Sequence, residues 1–466
     1  MGAILQRLLY HSYRLLERAN RRLLQRLTPA GRIVAGGLVA ATVFGADTRQ
    51  SGAYEVAALF GAVVLVSIIG LLRYRPRLQI TRRLPEFVTA GTPFSYTVQI
   101  RNLATQTARS LSVRERLKSD IPAFAVFRRF RRNAPGEPWL DRKLGYRRWL
   151  RLLAWRRGAD IAPVAVPDLP GGDTIEVKLT ALPRRRGYLH FHQILVTRPD
   201  PFGLINAFAH YRRPVSLLVL PRRYRLPPFK PQGNRRFQPG GVHLARNVGD
   251  SREFLSLRDY RPGDPPRHLH WRSWARTGRP IVKEFQDEYF DRQALILDTF
   301  SADGDATETF EAAVSLAASL ALQARRPDSL LDLLFVGHNI VHLTGGRGVD
   351  ADKHLLEALA CVEPSVTEGF ERLAQQLLRH GAQLSGITCV LLGWDEPRRQ
   401  LVRRLRALSL PVTAMVIRSA DDTALLPADP EVIHLRPAQL EADLARQLGS
   451  AAAGAGPQAK AKAAQG

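Results

Sequence analysis

The spacing of hydrophobic residues changes along the chain, and its first part is typical of membrane contact. Residues 1–32 carry leucines at roughly helical spacing among many arginines and one acid, Glu17, which predicts a basic amphipathic helix lying on an anionic membrane surface. Residues 33–73 hold two apolar runs, a short one at 33–46 and one of about 20 residues at 53–72, the length that crosses a bilayer core of about 30 Å. We therefore predict a transmembrane hairpin of two helices.

The arginines around this predicted hairpin indicate its orientation. They precede the first apolar run and follow the second, whereas the short connection at 47–52 contains Arg49 alone. Positively charged residues stay on the cytoplasmic side of a membrane. The distribution predicts a two-pass protein with both termini and the globular domains in the cytoplasm.

From about residue 78 the apolar positions recur at every second residue. Phe94–Ile100 and Thr174–Leu179 alternate in this way, and Gly and Pro separate such runs. This pattern predicts a small antiparallel β-sandwich over residues 76–225. Asp200–Leu204 is a turn-forming run near its end.

Residues 293–449 alternate short apolar runs with helical patterns, which predicts a doubly wound α/β domain with a mostly parallel sheet. Ligands of such sheets bind beyond the carboxyl ends of the strands, where Asp298 and Asp395 stand. The composition of residues 450–466 predicts a disordered tail. The predicted strands are 294–298, 330–336, 340–343, 387–392 and 412–417, and the predicted helices are 306–325, 353–360, 368–379, 396–408 and 437–448.

Composition adds one strong feature, the net charge. The chain of 466 residues is long enough for two or three domains, and its hydrophobic content of 45% is typical of globular proteins. A formal charge of +26, from 68 Lys and Arg against 42 Asp and Glu, favours anionic partners. The two cysteines, Cys361 and Cys389, lie in apolar contexts, which favours a reduced setting over a disulfide scaffold.

An insert at 124–157 interrupts the predicted sandwich with arginines and aromatic residues. Trp and Tyr beside Arg are typical of a segment that lies on lipid headgroups. The same composition also suits nucleic acid, but the predicted transmembrane hairpin already holds this domain at the membrane, so we favour lipid. A solvated arginine-rich loop is the third interpretation. The predicted membrane-surface residues are Arg128, Arg129, Trp139, Trp149 and Trp155.

The region 226–292 contains the most distinctive stretch, Glu253–Phe285. It is dense in Arg, His, Trp and Tyr but shows neither a hydrophobic strand nor a helical period, so we predict a long loop held together by its side chains. Asp264 could accept backbone N–H groups, and arginines could bind carboxylates or carbonyls. A recognition surface and a structural clasp both remain open. The candidate residues are Glu253, Phe254, Arg258, Tyr260, Asp264, Arg267, His270, Trp271, Arg276, Lys283 and Glu284.

In their order and spacing these residues resemble the signature of the bacterial family called domain of unknown function 58. The resemblance implies an inner-membrane protein whose C-terminal domain is similar to von Willebrand factor A domains. It also implies an association with a MoxR-type AAA+ ATPase, which is often encoded beside such proteins. It supplies no reaction.

That similarity also implies where a divalent cation such as Mg²⁺ would bind. The metal site of von Willebrand factor A domains begins with D-x-S-x-S, and the corresponding run here is Asp298-Thr299-Phe300-Ser301-Ala302. Two hydroxyl ligands are missing from this run. Asp298, Ser301 and Asp395 could still supply oxygens, so the prediction is a degenerate site that marks the binding edge of the sheet.

Motifs of common enzymes are missing from the sequence. It contains no P-loop, no H-E-x-x-H pair and no G-x-S-x-G turn. We therefore expect a non-enzymatic adaptor that requires no cofactor and binds membrane lipid and a MoxR-type ATPase. The alternatives are an enzyme or metal-dependent ligand binder that uses Asp264, His270, Asp298 and Asp395, or a nucleic-acid-binding protein that uses the insert.

Overall fold

The structure of the protein is a computed structural model. It describes residues 2–20, 26–44, 51–72, 74, 76–118, 121–129, 144–227, 254–264, 266–285, 291–300, 308–324, 329–336, 340–345, 349–365, 375, 377, 384–407, 410–418 and 432–454. The chain divides into two compact units. The first contains residues 1–223 and 356–362, and the second contains residues 224–355 and 363–466.

Three helices begin the first unit: α1 (Gly2–Ala19), α2 (Pro29–Phe44) and α3 (Ser51–Leu72). Among the described residues, one helix, at Gly52–Leu71, is long and apolar enough to cross a membrane, whereas the apolar α2 has 16 residues. A Cβ atom placed on Gly37 of α2 would lie 2.8 Å from the Phe60 ring of α3, so the two helices pack closely. The long apolar helix is compatible with membrane anchoring.

The predicted turn at 200–204 lies against the start of α2. The Thr28 hydroxyl donates a hydrogen bond to the Gly203 carbonyl at 2.6 Å, and the Thr28 N–H donates to the Leu204 carbonyl at 2.9 Å. A Cβ atom on Gly31 would lie 2.0 Å from the Leu204 oxygen. Glycine at this position therefore permits the close approach of helix and turn.

Two β-sheets in this unit enclose one hydrophobic core, to which Ile80, Val98 and Phe191 contribute. The strands are β1 (Leu78–Arg83), β2 (Phe87–Thr89), β3 (Phe94–Asn102), β4 (Leu111–Leu117), β5 (Ala159–Ile161), β6 (Val164–Val166), β7 (Thr174–Pro183), β8 (Gly187–Pro199) and β9 (Asn206–Leu220). Their order is β1-β3-β7-β5 in one sheet and β2-β9-β8-β4-β6 in the other.

The observed strand pairing differs from the predicted antiparallel sandwich at one edge of the five-stranded sheet. Strands β2 and β9 run parallel, whereas the other pairs in these two sheets are antiparallel. The chain passes from one sheet to the other between β1 and β2, so no hairpin sets the direction of β2 beside β9.

A buried ion pair joins the two sheets. Arg82 on β1 donates from Nε to Oε1 of Glu115 on β4 at 2.9 Å, and from Nη2 to Oε2 at 2.8 Å. The two side chains are 3% and 0% exposed. The guanidinium also donates to the Arg213 carbonyl and lies over the Phe191 ring, 4.9 Å from its centroid. The charges are thus shielded from water and neutralised by each other.

The described residues of the insert include two helices, α4 (Phe124–Arg129) and α5 (Tyr146–Arg157), which pack on α1. The rings of Tyr10 and Trp149 meet edge to face with centroids 5.7 Å apart, and the Tyr10 hydroxyl donates to the Pro122 carbonyl at 2.9 Å. We call this group the aromatic cluster. Its core residues are Tyr10, Phe127, Trp149, Leu152 and Leu153.

The aromatic cluster corrects part of the membrane-surface prediction. Trp149 is 1% exposed, so its ring is not available to headgroups. Trp155 is half-buried against the cluster, with the Arg185 guanidinium over its ring. Arg128 is exposed, while Trp139 and the side chain of Arg129 lie outside the described residues. The tryptophans were predicted at an interface because sequence composition does not distinguish interfacial rings from buried ones.

The second unit contains a six-stranded sheet of order β14-β13-β12-β15-β16-β17, parallel except for the β13–β14 pair. Its strands are β12 (Asp291–Leu297), β13 (Ser329–Val336), β14 (Ile340–Gly345), β15 (Gly386–Leu391), β16 (Val412–Ile417) and β17 (Val432–Leu435). The helices in this part of the chain are α7 (Glu308–Gln323), α8 (Val349–Cys361), α9 (Glu396–Ala407) and α10 (Leu440–Gly454). Strands β10 (Phe254–Asp259) and β11 (Ile281–Phe285) and helix α6 (Trp271–Thr277) belong to the candidate site.

These elements confirm alternating α/β content and differ from the prediction at its end. Strand β17 was missed because its four residues become a strand only by pairing with β16. Helix α10 continues to Gly454, past the predicted start of the tail at 450. Most of the predicted helix at 368–379 lies outside the described residues.

Candidate functional site

The distinctive stretch forms a two-stranded antiparallel sheet instead of a long loop. Strand β10 (Phe254–Asp259) pairs with β11 (Ile281–Phe285), and between them lies the helix α6 (Trp271–Thr277). We call residues 254–285 the signature hairpin. The prediction of a long loop was wrong because both strands are short and mixed in polarity, so their pairing is invisible to hydrophobic periodicity.

Contacts of the two predicted kinds, an arginine on a carboxylate and a backbone N–H on Asp264, are present within the signature hairpin. The Arg258 guanidinium binds the Asp264 carboxylate through both oxygens, each at 2.8 Å. The Arg261 N–H donates to the same carboxylate at 2.8 Å. Between them Gly263 adopts a φ of 107°, which favours glycine. This arrangement closes the turn that follows β10.

Helix α6 is held at both of its ends. The His270 N–H donates to the Ile281 carbonyl at 2.8 Å, and the His270 ring is 2.6 Å from the Ser273 hydroxyl. At the other end Gly278 has a φ of 68°, and its N–H donates to the Trp274 carbonyl. The bond from His270 therefore attaches the start of the helix to β11, and the bond from Gly278 ends the helix.

The surface that this frame supports is aromatic and basic. Trp271 is 64% exposed and stacks on Trp274 with ring centroids 5.2 Å apart. Tyr260 and Leu257 are also exposed. In the described part of the hairpin the exposed charged residues are Arg261, Arg272, Arg276 and Arg279 against Asp259. Exposed aromatic residues and arginines are both typical of protein-binding surfaces.

The remaining predicted residues of the signature contribute less to the described site. Lys283 is half-buried on β11, and Glu253 lies outside the described residues. Phe254, Arg267 and Glu284 are placed by their main chain, whereas their side chains lie outside the described part of the structure.

The contact between Arg258 and Asp264 predicts a pH dependence. The hydrogen bonds from Arg258 lower the pKa of the Asp264 carboxyl to about 2. Because the folded-state pKa lies below the ordinary value of about 4, the stabilisation is present above pH 4 and is lost as the pH falls towards 2. We expect the melting temperature of the protein to exceed that of Asp264→Asn above pH 4. A pH series of thermal denaturation should show this difference shrinking towards pH 2, and a constant difference would contradict it.

A second group of polar side chains lies at the carboxyl ends of β12 and β15. Asp298, directly after β12, is fully buried and accepts hydrogen bonds from the Phe300 and Leu392 N–H groups, both at 2.9 Å. Arg398 of α9 donates from Nε to Asp298 at 2.6 Å and from Nη1 to Asp395. The two predicted carboxylates are thus brought together by an arginine.

These carboxylates do not fit the implied divalent cation. Burial opposes the charge on Arg398, but Asp298 and Asp395 raise the pKa of its guanidinium. The guanidinium therefore stays charged and fills the position between the two carboxylates. Ser301 lies outside the described residues, and among those described no three His, Cys, Asp or Glu side chains converge.

The residues of the enzyme alternative each have a local partner. Asp264 binds Arg258, His270 contacts Ser273 within one turn of α6, and both Asp298 and Asp395 bind Arg398. All four side chains therefore take part in hydrogen bonds within the described part of the chain.

Sequence reasoning missed two participants, Arg398 and Tyr10. Arg398 follows Asp395 by three residues at the start of a predicted helix, a spacing that places both on one helical face. Tyr10 and Tyr13 have the same spacing on α1. Both spacings can be read from the sequence, but they do not indicate which distant residues these side chains contact.

The region that contains both groups of residues matches a known protein family. Residues 256–432 match the family model described as Protein of unknown function DUF58. This region belongs to the DUF58 family. The resemblance seen in the signature residues is thereby confirmed. The DUF58 region spans most of the signature hairpin and the sheet that carries Asp298, Asp395 and Arg398.

One relative with a curated description is the uncharacterized protein YeaD of Bacillus subtilis. It is 28% identical over 225 residues, which cover 48% of this chain and 54% of YeaD. The match thus spans about half the length of that relative.

Solved structures resemble parts of the chain distantly. A CARDB domain from Pyrococcus furiosus is 13% identical with a TM-score of 0.17, and covers 31% of this chain and 89% of the domain. The manganese-loaded TRAP protein of Plasmodium vivax is 10% identical with a TM-score of 0.25, and covers 34% of this chain and 73% of that protein. Likeness at this level says nothing about function.

Proposed function

We propose that the protein is a membrane-anchored adaptor without catalytic activity, whose signature hairpin binds an acidic face of a MoxR-type AAA+ ATPase during assembly or activation of membrane or envelope complexes. The observation that carries the proposal is the exposed Trp271 on a hairpin that also exposes four arginines and is held by Arg258 and Asp264. The ATPase partner comes from the resemblance to the DUF58 family.

Anchoring rests on the N-terminal helices. In the proposal α2 and α3 form a two-pass hairpin, and the positive-inside distribution of arginine places both termini and both units in the cytoplasm. The contacts of Thr28 and Gly31 with the turn at 200–205 support this, because they attach the sandwich directly to the start of α2. The second unit is proposed to be similar to a von Willebrand factor A domain.

Lipid contact rests on the two faces of α1. Tyr10 and Tyr13 face the insert, whereas four leucines of the helix are exposed. We call Leu5, Leu8, Leu15 and Leu16, which are 47%, 64%, 63% and 48% exposed, the leucine stripe. Arg7 and Arg18 are also exposed on this helix. Exposed leucines beside arginines, on a helix that nine residues separate from α2, suit the headgroup region of an anionic leaflet.

The docking surface is tested by changing its exposed side chains while leaving its frame intact. We expect the double variant Trp271→Ala, Arg276→Ala to bind a purified MoxR-type ATPase from the same organism roughly 30-fold more weakly, because truncating hot-spot residues typically costs about 2 kcal/mol. The measurement is the equilibrium binding of the full-length protein in mild detergent. Melting temperature reports whether the variant still folds.

A matched control separates specific docking from a general effect of charge. The double variant Tyr188→Ala, Arg101→Ala removes an exposed aromatic residue and an exposed arginine from the sandwich, and we expect it to bind like the wild type. If the hairpin variant also binds like the wild type, the signature hairpin is not the docking surface. Equal weakening of both variants would indicate charge attraction without a specific site.

A further inference from the structure

A fixed positive charge lies at the carboxyl ends of β12 and β15, in the six-stranded sheet of the second unit. We call this end of the sheet the edge. The Arg398 guanidinium donates to Asp298 Oδ2, to Asp395 Oδ2 and to the Phe300 carbonyl, the last at 3.0 Å. Three of its nitrogens therefore bind three different oxygens. This arrangement is specific to a planar, forked donor, which a lysine ammonium does not reproduce.

The burial of these groups makes the arrangement energetically necessary. The Asp298 side chain is 0% exposed, that of Arg398 is 12% exposed and that of Asp395 is 51% exposed. A fully buried carboxylate requires a counter-charge, because hydrogen bonds from neutral N–H groups do not offset the whole cost of removing it from water. Arg398 supplies that charge from within the chain.

Every oxygen of Asp298 is already engaged. Oδ1 accepts the Phe300 N–H, and Oδ2 accepts both the Leu392 N–H and Arg398 Nε. A divalent cation such as Mg²⁺ needs free oxygen lone pairs at about 2.0–2.1 Å. With the guanidinium in place, neither the space nor the ligands for such an ion are available.

We infer that Arg398 is the resident cation of this edge, held in the position between Asp298 and Asp395 that a divalent ion would need. The edge is therefore complete without a metal. Its integrity depends on Arg398 and is independent of the supply of Mg²⁺ or Mn²⁺. This inference concerns a different surface from the proposed docking hairpin and stands without it.

The charges at this edge also influence which ligands it can bind. Two carboxylates and one guanidinium leave one net negative charge, and the neighbouring Arg399 and Glu396 pair with each other at 3.3 Å. Arg398 and Arg399 already pair with carboxylates of the chain, so neither offers an acidic ligand the attraction that a metal centre would.

The test removes the guanidinium and supplies it again in solution. In the full-length protein we expect Arg398→Ala to lower the melting temperature by on the order of 10 °C, because Asp298 is left buried and uncompensated. Guanidinium chloride at low millimolar concentration should restore part of this loss in Arg398→Ala and leave the wild type unchanged. Arg403→Ala, on the same helix with its side chain 70% exposed, is the matched control and should melt within about 2 °C of the wild type.

Manganese binding by the wild type provides a second measurement that does not depend on the folding of Arg398→Ala. Titration of Mn²⁺ followed by electron paramagnetic resonance should show no stoichiometric binding that depends on Asp298. Stoichiometric binding that disappears in Asp298→Asn would overturn the inference. So would an Arg398→Ala variant that melts at the temperature of Arg403→Ala.

Discussion

Replacing Glu115 with alanine is expected to lower the free energy of unfolding of the sandwich by about 3–5 kcal/mol. The carboxylate neutralises Arg82 in an environment where the two side chains are 0% and 3% exposed. Removing it leaves a guanidinium that is buried between two sheets with only the Arg213 carbonyl and the Phe191 ring as described partners. Urea denaturation of the full-length protein, followed by circular dichroism of its β-structure, measures the change.

Two further variants show whether the effect comes from the buried charge. Asp160→Ala removes the partner of Arg184 in an ion pair whose side chains are 38% and 49% exposed, and we expect a loss below about 1 kcal/mol. The double variant Arg82→Met, Glu115→Leu buries no charge and should be more stable than Glu115→Ala. If Glu115→Ala loses no more than Asp160→Ala, the pair does not stabilise the sandwich.

Replacing Trp149 with alanine is expected to destabilise the contact between α1 and the insert by about 3–5 kcal/mol. The indole is 1% exposed and packs against the rings of Tyr10 and Phe127. Without it α1 loses the packing that keeps the leucine stripe exposed on the side that we propose contacts lipid. Hydrogen exchange of residues 5–16 in nanodiscs that contain anionic phospholipid should become faster in this variant.

The control for this experiment is a residue on the same helix that points away from the cluster. Leu150 of α5 is 43% exposed, and Leu150→Ala should change the exchange of α1 little. If α1 exchanges equally slowly in Trp149→Ala and in the wild type, the aromatic cluster does not hold the helix. If exchange of the wild-type helix is the same in neutral and anionic nanodiscs, the leucine stripe has a different partner.

Much of the second unit could be predicted because its strands are buried on both faces. Continuous apolar runs such as Ile387–Leu391 and Val412–Ile417 are typical of central parallel strands, and their predicted bounds lie within about two residues of those observed. The short β17 carries less of this signal. It is a strand because β16 offers it unpaired main-chain groups.

The signature hairpin shows a different limit of sequence reasoning. The roles expected of Arg258 and Asp264 could be predicted because the two residues lie six positions apart, on either side of a glycine turn. The strand pairing of Phe254 with Phe285 spans the whole segment and leaves no local pattern. A resemblance to a family identified these residues, but it did not indicate which would be exposed.

The sequence by itself determined the alternation of strands and helices in much of the second unit, the apolar helix near the N-terminus, the basic character and the resemblance of the signature residues to DUF58. Each of these depends on local composition or spacing, which the chain carries before it folds. Only the tertiary structure decided which charges meet. Arg398 lies 100 positions from Asp298 and Arg82 lies 33 positions from Glu115, yet burial requires each pair to be neutralised. It also decided that the tyrosines of α1 pack inward while its leucines stay exposed, because the insert offers aromatic partners to one face of that helix.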